Sequence, residues 1–312
     1  MDNSTWTLLT APKMGAIAII QITGDVTTCL QQLTGRTSWT NSALQLVQIP
    51  DIDEVIAVKI SDDLAHIMPH GSIHILNKIA TTLETLGIKK VNAPRFPEAE
   101  NAIERAMLHA LSIAKSPLAV ELLLQQPALL RNASPTDADL ARSAVLNHLI
   151  HPPKVVLLGE PNTGKSTLMN ALTKQDTSIV HELPGATRDA VGARINCGGL
   201  VIDMYDLPGV RESQDHIEQK AIQLSKTLIA ESVLTVLIAD AEHDWLQVST
   251  PHITVATKSD IKTRADCNIQ VSAHTGIGME ELTLALRDEI VPQKCLTHDG
   301  PWFFSGYSPT EE

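Results

Sequence analysis

Gly159-Glu160-Pro161-Asn162-Thr163-Gly164-Lys165-Ser166 has the form Gly-x-x-x-x-Gly-Lys-Ser, and its flanks decide how it is read. The apolar run Val155-Val156-Leu157-Leu158 precedes it and the amphipathic Leu168-Met169-Asn170-Ala171-Leu172 follows, which predicts strand, loop and helix in that order. In such a loop the glycines let backbone N–H groups turn inward around phosphates, at the positive end of the new helix. Asn162, Thr163, Gly164, Lys165, Ser166 and Thr167 are therefore the predicted phosphate-binding residues. Lys165 would reach the β- and γ-phosphates, and the Ser166 hydroxyl would ligate magnesium.

Three further fragments follow in the order that a GTP-binding domain requires. Asp206-Leu207-Pro208-Gly209 ends the apolar segment Leu200–Tyr205, so the Asp206 carboxylate can hold magnesium through water and the Gly209 amide can meet the γ-phosphate. Thr257-Lys258-Ser259-Asp260 follows the strand-like Ile253–Ala256. A carboxylate at Asp260 suits the two N–H donors on the edge of guanine, and adenine would leave buried polar groups unpaired there. Ser272-Ala273 completes the set, with the Ala273 amide placed to donate to the guanine carbonyl. Each fragment alone is a weak signal; the ordered series is a strong one. The fold class it predicts is α/β, a P-loop GTPase (G) domain with a mixed sheet flanked by helices.

Two positions depart from the common pattern. Thr257 stands where the base-recognition motif has an Asn that braces the phosphate loop, so some loss of affinity is expected. Val210 follows the Asp-x-x-Gly motif where Ras-like GTPases have a water-orienting Gln, so help with hydrolysis must come from elsewhere.

Residues 155–290 resemble the G domain of the tRNA-modification GTPase family MnmE (TrmE). The segments that carry the resemblance are the phosphate loop, Gly185-Ala186-Thr187-Arg188-Asp189, and Asp206-Leu207-Pro208-Gly209-Val210-Arg211-Glu212-Ser213. The resemblance implies hydrolysis assisted by potassium in place of an arginine finger, with Asn162 holding the ion. It implies Glu218, twelve residues beyond Asp206, as the residue that positions the attacking water, and Thr187 as the switch threonine closing on magnesium. Plainer readings stay open: Asn162 as a loop-stabilising amide, and Glu218 as part of the solvated face of a charged helix.

The N-terminal part resembles the family more weakly, through Ala11-Pro12-Lys13-Met14-Gly15 to Gly24 and through Met68-Pro69-His70-Gly71-Ser72, which lies where the family has Cys-His-Gly-Gly. There the family has an aminomethyltransferase-like domain that dimerises and binds a tetrahydrofolate derivative. Its Pro-Gly-Glu-Phe-Thr segment is not matched near Phe96-Pro97-Glu98, which makes a structural or dimerising domain the reading and folate binding the alternative. The family's C-terminal Cys-x-Gly-Lys motif is not matched at Cys295-Leu296-Thr297-His298 either. The expectation is a truncated member or paralogue without the C-terminal helical half.

Charge narrows the partners. The 312 residues carry a net charge of −12. Residues 1–150 hold 11 Lys/Arg against 14 Asp/Glu, and residues 151–312 hold 13 against 22. An acidic G domain argues against broad electrostatic attraction to RNA, which depends on neutralising phosphates. No apolar stretch approaches bilayer length, the N-terminus lacks the blocks of a signal peptide, and four cysteines show no paired spacing. A cytoplasmic protein without a membrane partner is expected.

Four regions are expected: an α/β domain over 1–92, a helical connector over 93–150, the G domain over 151–291, and a tail over 292–312. In the first, Ala16–Ile22 is read as a buried strand, residues up to Leu33 as a helix, Leu44–Val47 and Val55–Ile60 as strands, and Ser72–Leu86 as a helix. In the second, helices are read over Glu98–Ala114, from Pro117 through Leu124, and from Ser134-Pro135-Thr136-Asp137 to Leu149. Thirteen residues separate the apolar run Val233–Ala239 from the strand near Ile253, room for two or three helical turns at most. The tail concentrates Trp302, Phe303, Phe304 and Tyr307, an apolar group expected to dock on this chain or on a partner. The function expected is GTP hydrolysis in an MnmE-like switch that binds GTP and GDP, as a homodimer. Two alternatives stand beside it: a component of tRNA wobble-uridine modification, with tRNA or a modification protein as partner, or a GTP/GDP-binding module with negligible turnover.

Overall fold

A computed structural model describes residues 4–10, 15–92, 94–174, 191–207 and 225–307. The chain divides into two compact units, Met1–Glu98 and Ala99–Glu312.

The first unit is built on one six-stranded sheet. Its elements are β1 (Thr5–Leu8), β2 (Ile20–Thr23), α1 (Val26–Thr34), β3 (Leu44–Ile49), β4 (Asp53–Ser61), β5 (Leu64–Met68), α2 (Ile73–Thr85) and β6 (Lys89–Lys90). The sheet order is β3-β4-β5-β2-β1-β6, antiparallel except where β6 runs parallel to β1. Asp25 starts α1 by accepting from the Thr28 amide, and Gly35 ends it in the left-handed conformation, with its amide on the Gln31 carbonyl. One face is sealed by Val26, Leu30 and Leu33 of α1 and Ile79 and Leu83 of α2, packed on Ile20, Ile22, Ala65 and Ile67.

The expected strand over Ala16–Ile22 is shorter than its apolar run suggests. Only Ile20–Thr23 joins the sheet, and Ile17 is 57% exposed. Residues 15–18 instead line up with 69–71: Ala18 donates to the Pro69 carbonyl, Gly15 to that of Gly71, and Gly71 to that of Ala16. The approach is so close that a Cβ on Gly71 would lie 2.4 Å from the Gly15 oxygen. Beside it, Asp53 accepts from the His70 amide (2.9 Å) and faces His70 Nδ1 (2.8 Å).

The second unit begins with α3 (Ala102–Ile113), α4 (Leu118–Leu130) and α5 (Asp137–Leu146), with one turn of 3-10 helix over Asn147–Leu149. A capping box between Thr136 and Asp139 opens α5. The helix opened by Pro117 runs on to Leu130 rather than ending at Leu124, with Pro127 in its interior. A proline there removes one helical hydrogen bond; the buried Gln126 side chain adds one, donating to the Leu122 carbonyl at 2.7 Å.

A second sheet follows, with β7 (Lys154–Leu158), α6 (Lys165–Lys174), β8 (Val191–Cys197), β9 (Leu200–Asp206), α7 (residues 225–231), β10 (Leu234–Ala239), β11 (His252–Ala256), β12 (Ile269–Gln270), α8 (Met279–Ile290) and α9 (Gln293–Leu296). Its order is β12-β11-β10-β7-β9-β8, parallel except for the antiparallel edge strand β8. Parallel strands are covered on both faces and so read as unbroken apolar runs; Leu234–Ala239 is buried at every position. Helices α3–α5, the sheet, α6, α8 and the tail residues Trp302 and Phe304 share one apolar core.

Residues 240–251 form no helix, although two turns would fit. Trp245, Leu246 and Val248 instead cap a satellite cluster of Val156, Leu158, Leu207, Leu228 and Leu237. Side chains from an irregular connection thereby cover that face of the sheet.

Candidate functional site

The strand order changes direction beside β7, which has β10 on one side and β9 on the other. In open parallel sheets a ligand sits in the crevice there, outside the carboxyl ends of the strands. Every described residue expected to touch nucleotide follows a carboxyl end: the loop after β7, Asp206 ending β9, Thr257–Asp260 after β11, and Ser272-Ala273 after β12.

The loop after β7 is fixed by sterics. A Cβ on Gly159 would lie 2.2 Å from the Ile238 oxygen of β10, so only glycine lets the loop start against that strand. Gly164 and Asn162 both have positive φ, +93° and +66°. Glycine adopts that region freely, and Asn is among the few side-chain residues that tolerate it. Thr163 is fully buried and donates its hydroxyl to the Glu160 carbonyl at 2.8 Å.

Lys165 and Ser166 occupy the first turn of α6. Lys165 Nζ donates to the carbonyls of Gly159 (2.9 Å) and Glu160 (2.8 Å), which folds the ammonium over the loop. Burial pulls its pKa below the ordinary lysine value, against the opposing charge of Asp206. Ser166 Oγ donates to Asp206 Oδ2 at 2.6 Å. These two oxygens come from elements forty residues apart, and they are the pair expected to serve magnesium. A hydroxyl and a carboxylate are hard oxygen donors, the set that magnesium takes alongside phosphate and water. Thr167 stands exposed on the next position of the turn.

At the other end, Thr257 does what the missing Asn was expected to do. Its buried hydroxyl donates to the Thr163 carbonyl at 2.5 Å, so the base-recognition loop still braces the phosphate loop. The sequence reading of Thr257 as a weakened position did not foresee this. A threonine hydroxyl reaches the carbonyl because the two loops pass close enough for Thr257 to lie 3.5 Å from a Cβ placed on Gly164.

Lys258 makes a second tie. Its Nζ donates to the Asn162 carbonyl at 2.8 Å and to Asp240 Oδ2 at 2.7 Å. Asp260 is exposed, and its hydrogen bond from the Ser272 side chain holds its carboxyl below the usual range. The Ser259 amide donates to the Val271 carbonyl at 3.2 Å, which brings together the two loops expected to recognise guanine. The Ser272 backbone is itself pinned, its amide on the Ile277 carbonyl at 2.9 Å. Ala273 follows it, partly exposed.

Thr187, Gly209 and Glu218 lie outside the described residues. Asp240 was not singled out in the sequence. The signal was available: an acidic residue directly after the apolar stretch Val236–Ala239, at the carboxyl end of a parallel strand.

Residues 154–266 match the family model described as 50S ribosome-binding GTPase. Relatives include the tRNA modification GTPase MnmE of Rhizobium johnstonii, 36% identical over 141 residues (43% of this chain, 32% of the relative), and that of Methylorubrum populi, 41% identical over 140 residues (43% and 31%). The MnmE of Rhizobium meliloti is 32% identical over 163 residues (49% and 37%). The chain thus spans about a third of the length of the curated relatives it matches. Among solved structures, the G domain of the T. maritima FeoB iron transporter matches at 28% identity and a TM-score of 0.33, covering 45% of this chain and 98% of that one. Era from Aquifex aeolicus matches at 22% identity and a TM-score of 0.36, covering 50% and 60%. The match places a GTPase-type α/β domain within the second unit, and over that stretch the chain is similar to the MnmE proteins. Among the described residues, no helix is long and apolar enough to cross a membrane.

Proposed function

We propose that the chain binds GTP with magnesium and hydrolyses it to GDP and phosphate, with potassium assistance, as an MnmE-like molecular switch. The observation that carries this is convergence: Ser166 Oγ lies 2.6 Å from Asp206 Oδ2, and the base-recognition loop bonds the phosphate loop through Thr257 and Lys258. Ser166 and Asp206, joined by Thr187, would hold magnesium, which when bound screens charge on the β- and γ-phosphates. Lys165 turns from the loop carbonyls to the phosphates and neutralises charge as the terminal phosphoryl group separates. Asp260 selects guanine by accepting from its two N–H donors, and Ala273 donates to its carbonyl.

Asn162 stands exposed at the bend of the loop, with its backbone carbonyl held by Lys258. Its amide oxygen is the donor a monovalent cation would take, and a cation there supplies positive charge beside the phosphates. Glu218 would position the attacking water, and Thr187 and Gly209 would sense the γ-phosphate and relax after hydrolysis. Val210 supports the need for such help, since it cannot orient water. Two copies, meeting through their G domains, would complete the site, and the reading places the protein in the cytoplasm. A structural or dimerising role is the reading for the first unit, ahead of binding a tetrahydrofolate derivative.

Phosphate release measured in potassium and in sodium tests the mechanism. Turnover is expected to be faster in potassium, and Asn162→Ala should lower it roughly a hundredfold, the scale of one lost transition-state stabiliser. Equal rates in the two salts would remove the potassium step and favour a module that only binds. A second reading, a part in tRNA wobble-uridine modification, draws on the printed function of the relatives. Loss of the modified uridine in a strain deleted for this chain would support it, and an unchanged tRNA would set it aside.

A further inference from the structure

We propose that Asp240 is a positioning residue for the nucleotide, acting through Lys258 and backed by His243; the proposal rests on the guanine-nucleotide reading above. Asp240 ends β10 and is 5% exposed. Both of its oxygens are occupied. Oδ2 accepts from Lys258 Nζ at 2.7 Å; Oδ1 accepts from the Glu242 amide at 2.9 Å and faces His243 Nδ1 at 2.6 Å. Burial alone would raise its pKa, but these donors outweigh burial and hold the carboxyl far below the ordinary carboxylate range. The carboxylate is therefore a fixed, charged anchor, clamped on one side so that the other can hold a lysine.

The lysine needs an anchor. Lys258 is half exposed, and a free lysine side chain is rich in rotamers. Its backbone sits at φ +58°, a left-handed conformation uncommon for lysine, and the carbonyl it reaches belongs to Asn162, itself at φ +66°. One ammonium thus joins two residues in the left-handed conformation, one in each half of the site, and Asp240 fixes where that ammonium lies. Arg264 buttresses the same segment, donating to the carbonyls of Asp240 (2.9 Å) and His243 while its guanidinium stacks 4.3 Å from the Trp245 ring. Strand β10, the irregular 240–251 connection and the base-recognition loop are thereby tied to the phosphate loop through one carboxylate. A carboxylate placed in this way sets how long a bound nucleotide stays, because release requires the two halves of the site to part.

Release of a fluorescent GDP analogue from the full chain tests the proposal. Asp240→Asn keeps an acceptor for the Glu242 amide but presents an uncharged amide to Lys258, and should speed release about tenfold, the scale of one charge-assisted hydrogen bond. Lys258→Met should speed it similarly, and the double variant no more than the faster single one, because both changes break one connection. His243→Ala leaves the carboxylate in place and should give a smaller acceleration, a second reading should Asp240→Asn fail to fold. Wild-type release rates in Asp240→Asn, or in His243→Ala if only that variant folds, would overturn the proposal, as would additive effects of Asp240→Asn and Lys258→Met. If the wild-type chain holds no guanine nucleotide, the underlying reading fails and the proposal falls with it; a wild type that binds beside an unaffected variant sinks only the role of Asp240.

Discussion

The phosphate loop and the aromatic tail lie in the same unit and are held by opposite means. The loop takes its shape from local sterics, glycines where a Cβ would collide or where φ is positive and short bonds such as Thr163 Oγ1 to the Glu160 carbonyl, and distant groups add only the ties from Thr257 and Lys258. The tail has almost no regular structure, and side chains more than 150 positions away hold it. Arg142, 9% exposed, donates to the carbonyls of Cys295, His298, Gly300 and Pro301. Gln126 Oε1 accepts from the Trp302 amide, Ser143 Oγ from that of Phe303, and Asn147 Oδ1 from Trp302 Nε1. Below them Trp302 and Phe304 are buried, their rings edge-on at 6.0 Å. Contiguous backbone geometry makes a site that binds. Distant polar side chains, satisfying backbone that no helix or strand satisfies, make a clasp that stabilises.

Substitutions can separate the two. The largest effect is expected at the clasp: Trp302→Ala should cost about 3–5 kcal/mol of unfolding free energy for the second unit, the range for removing a buried aromatic side chain. Urea unfolding measures it, and a loss below about 1 kcal/mol would show that the tail docks without contributing. Gly159→Ala comes next. The added methyl must displace β10 or the loop, so nucleotide affinity should fall roughly a hundredfold, as expected when oriented donors lose register. Affinity within twofold of wild type would show that the loop adjusts where the backbone contact says it cannot.

Asp260→Asn should weaken GTP binding by about tenfold and favour xanthine nucleotides, since one polar pairing on the base edge is lost or reversed. Equal wild-type affinity for ATP and GTP would discard that assignment. The smallest effect is expected at Thr257→Val, which removes the hydroxyl that bonds Thr163 at 2.5 Å and lies 3.4 Å from the Ala239 carbonyl. A net hydrogen bond of about 1 kcal/mol predicts roughly fivefold weaker binding, and titration calorimetry resolves that difference. No change would mean that the brace is dispensable.

The readable parts of this chain were those that local chemistry specifies. An apolar run before Gly159, a Lys-Ser pair opening a helix, and Asp260 after a strand carry their meaning within a few residues. Strand β10 read clearly because both of its faces are covered. The Ala16–Ile22 run misled by the same logic: apolar content says that a segment is attracted to a core, and pairing of 15–18 with 69–71 decided that only Ile20–Thr23 enters the sheet. Pro127 was equally opaque, since propensity ends a helix near proline and Gln126 supplies a hydrogen bond that propensity does not include.

The sequence by itself determined the class of this protein's second unit and the strand–loop–helix order around Gly159–Ser166, because those depend on short-range sterics and apolar patterning fixed by residue type. Only the tertiary structure showed that Thr257 braces the loop, that Asp240 anchors Lys258, and that Arg142 clasps the tail. Each is a bond between residues 18 to 159 positions apart, between groups common enough that no spacing announces them. Such pairs meet only when the sheet order and the packing of the helices have set the distances between their backbones.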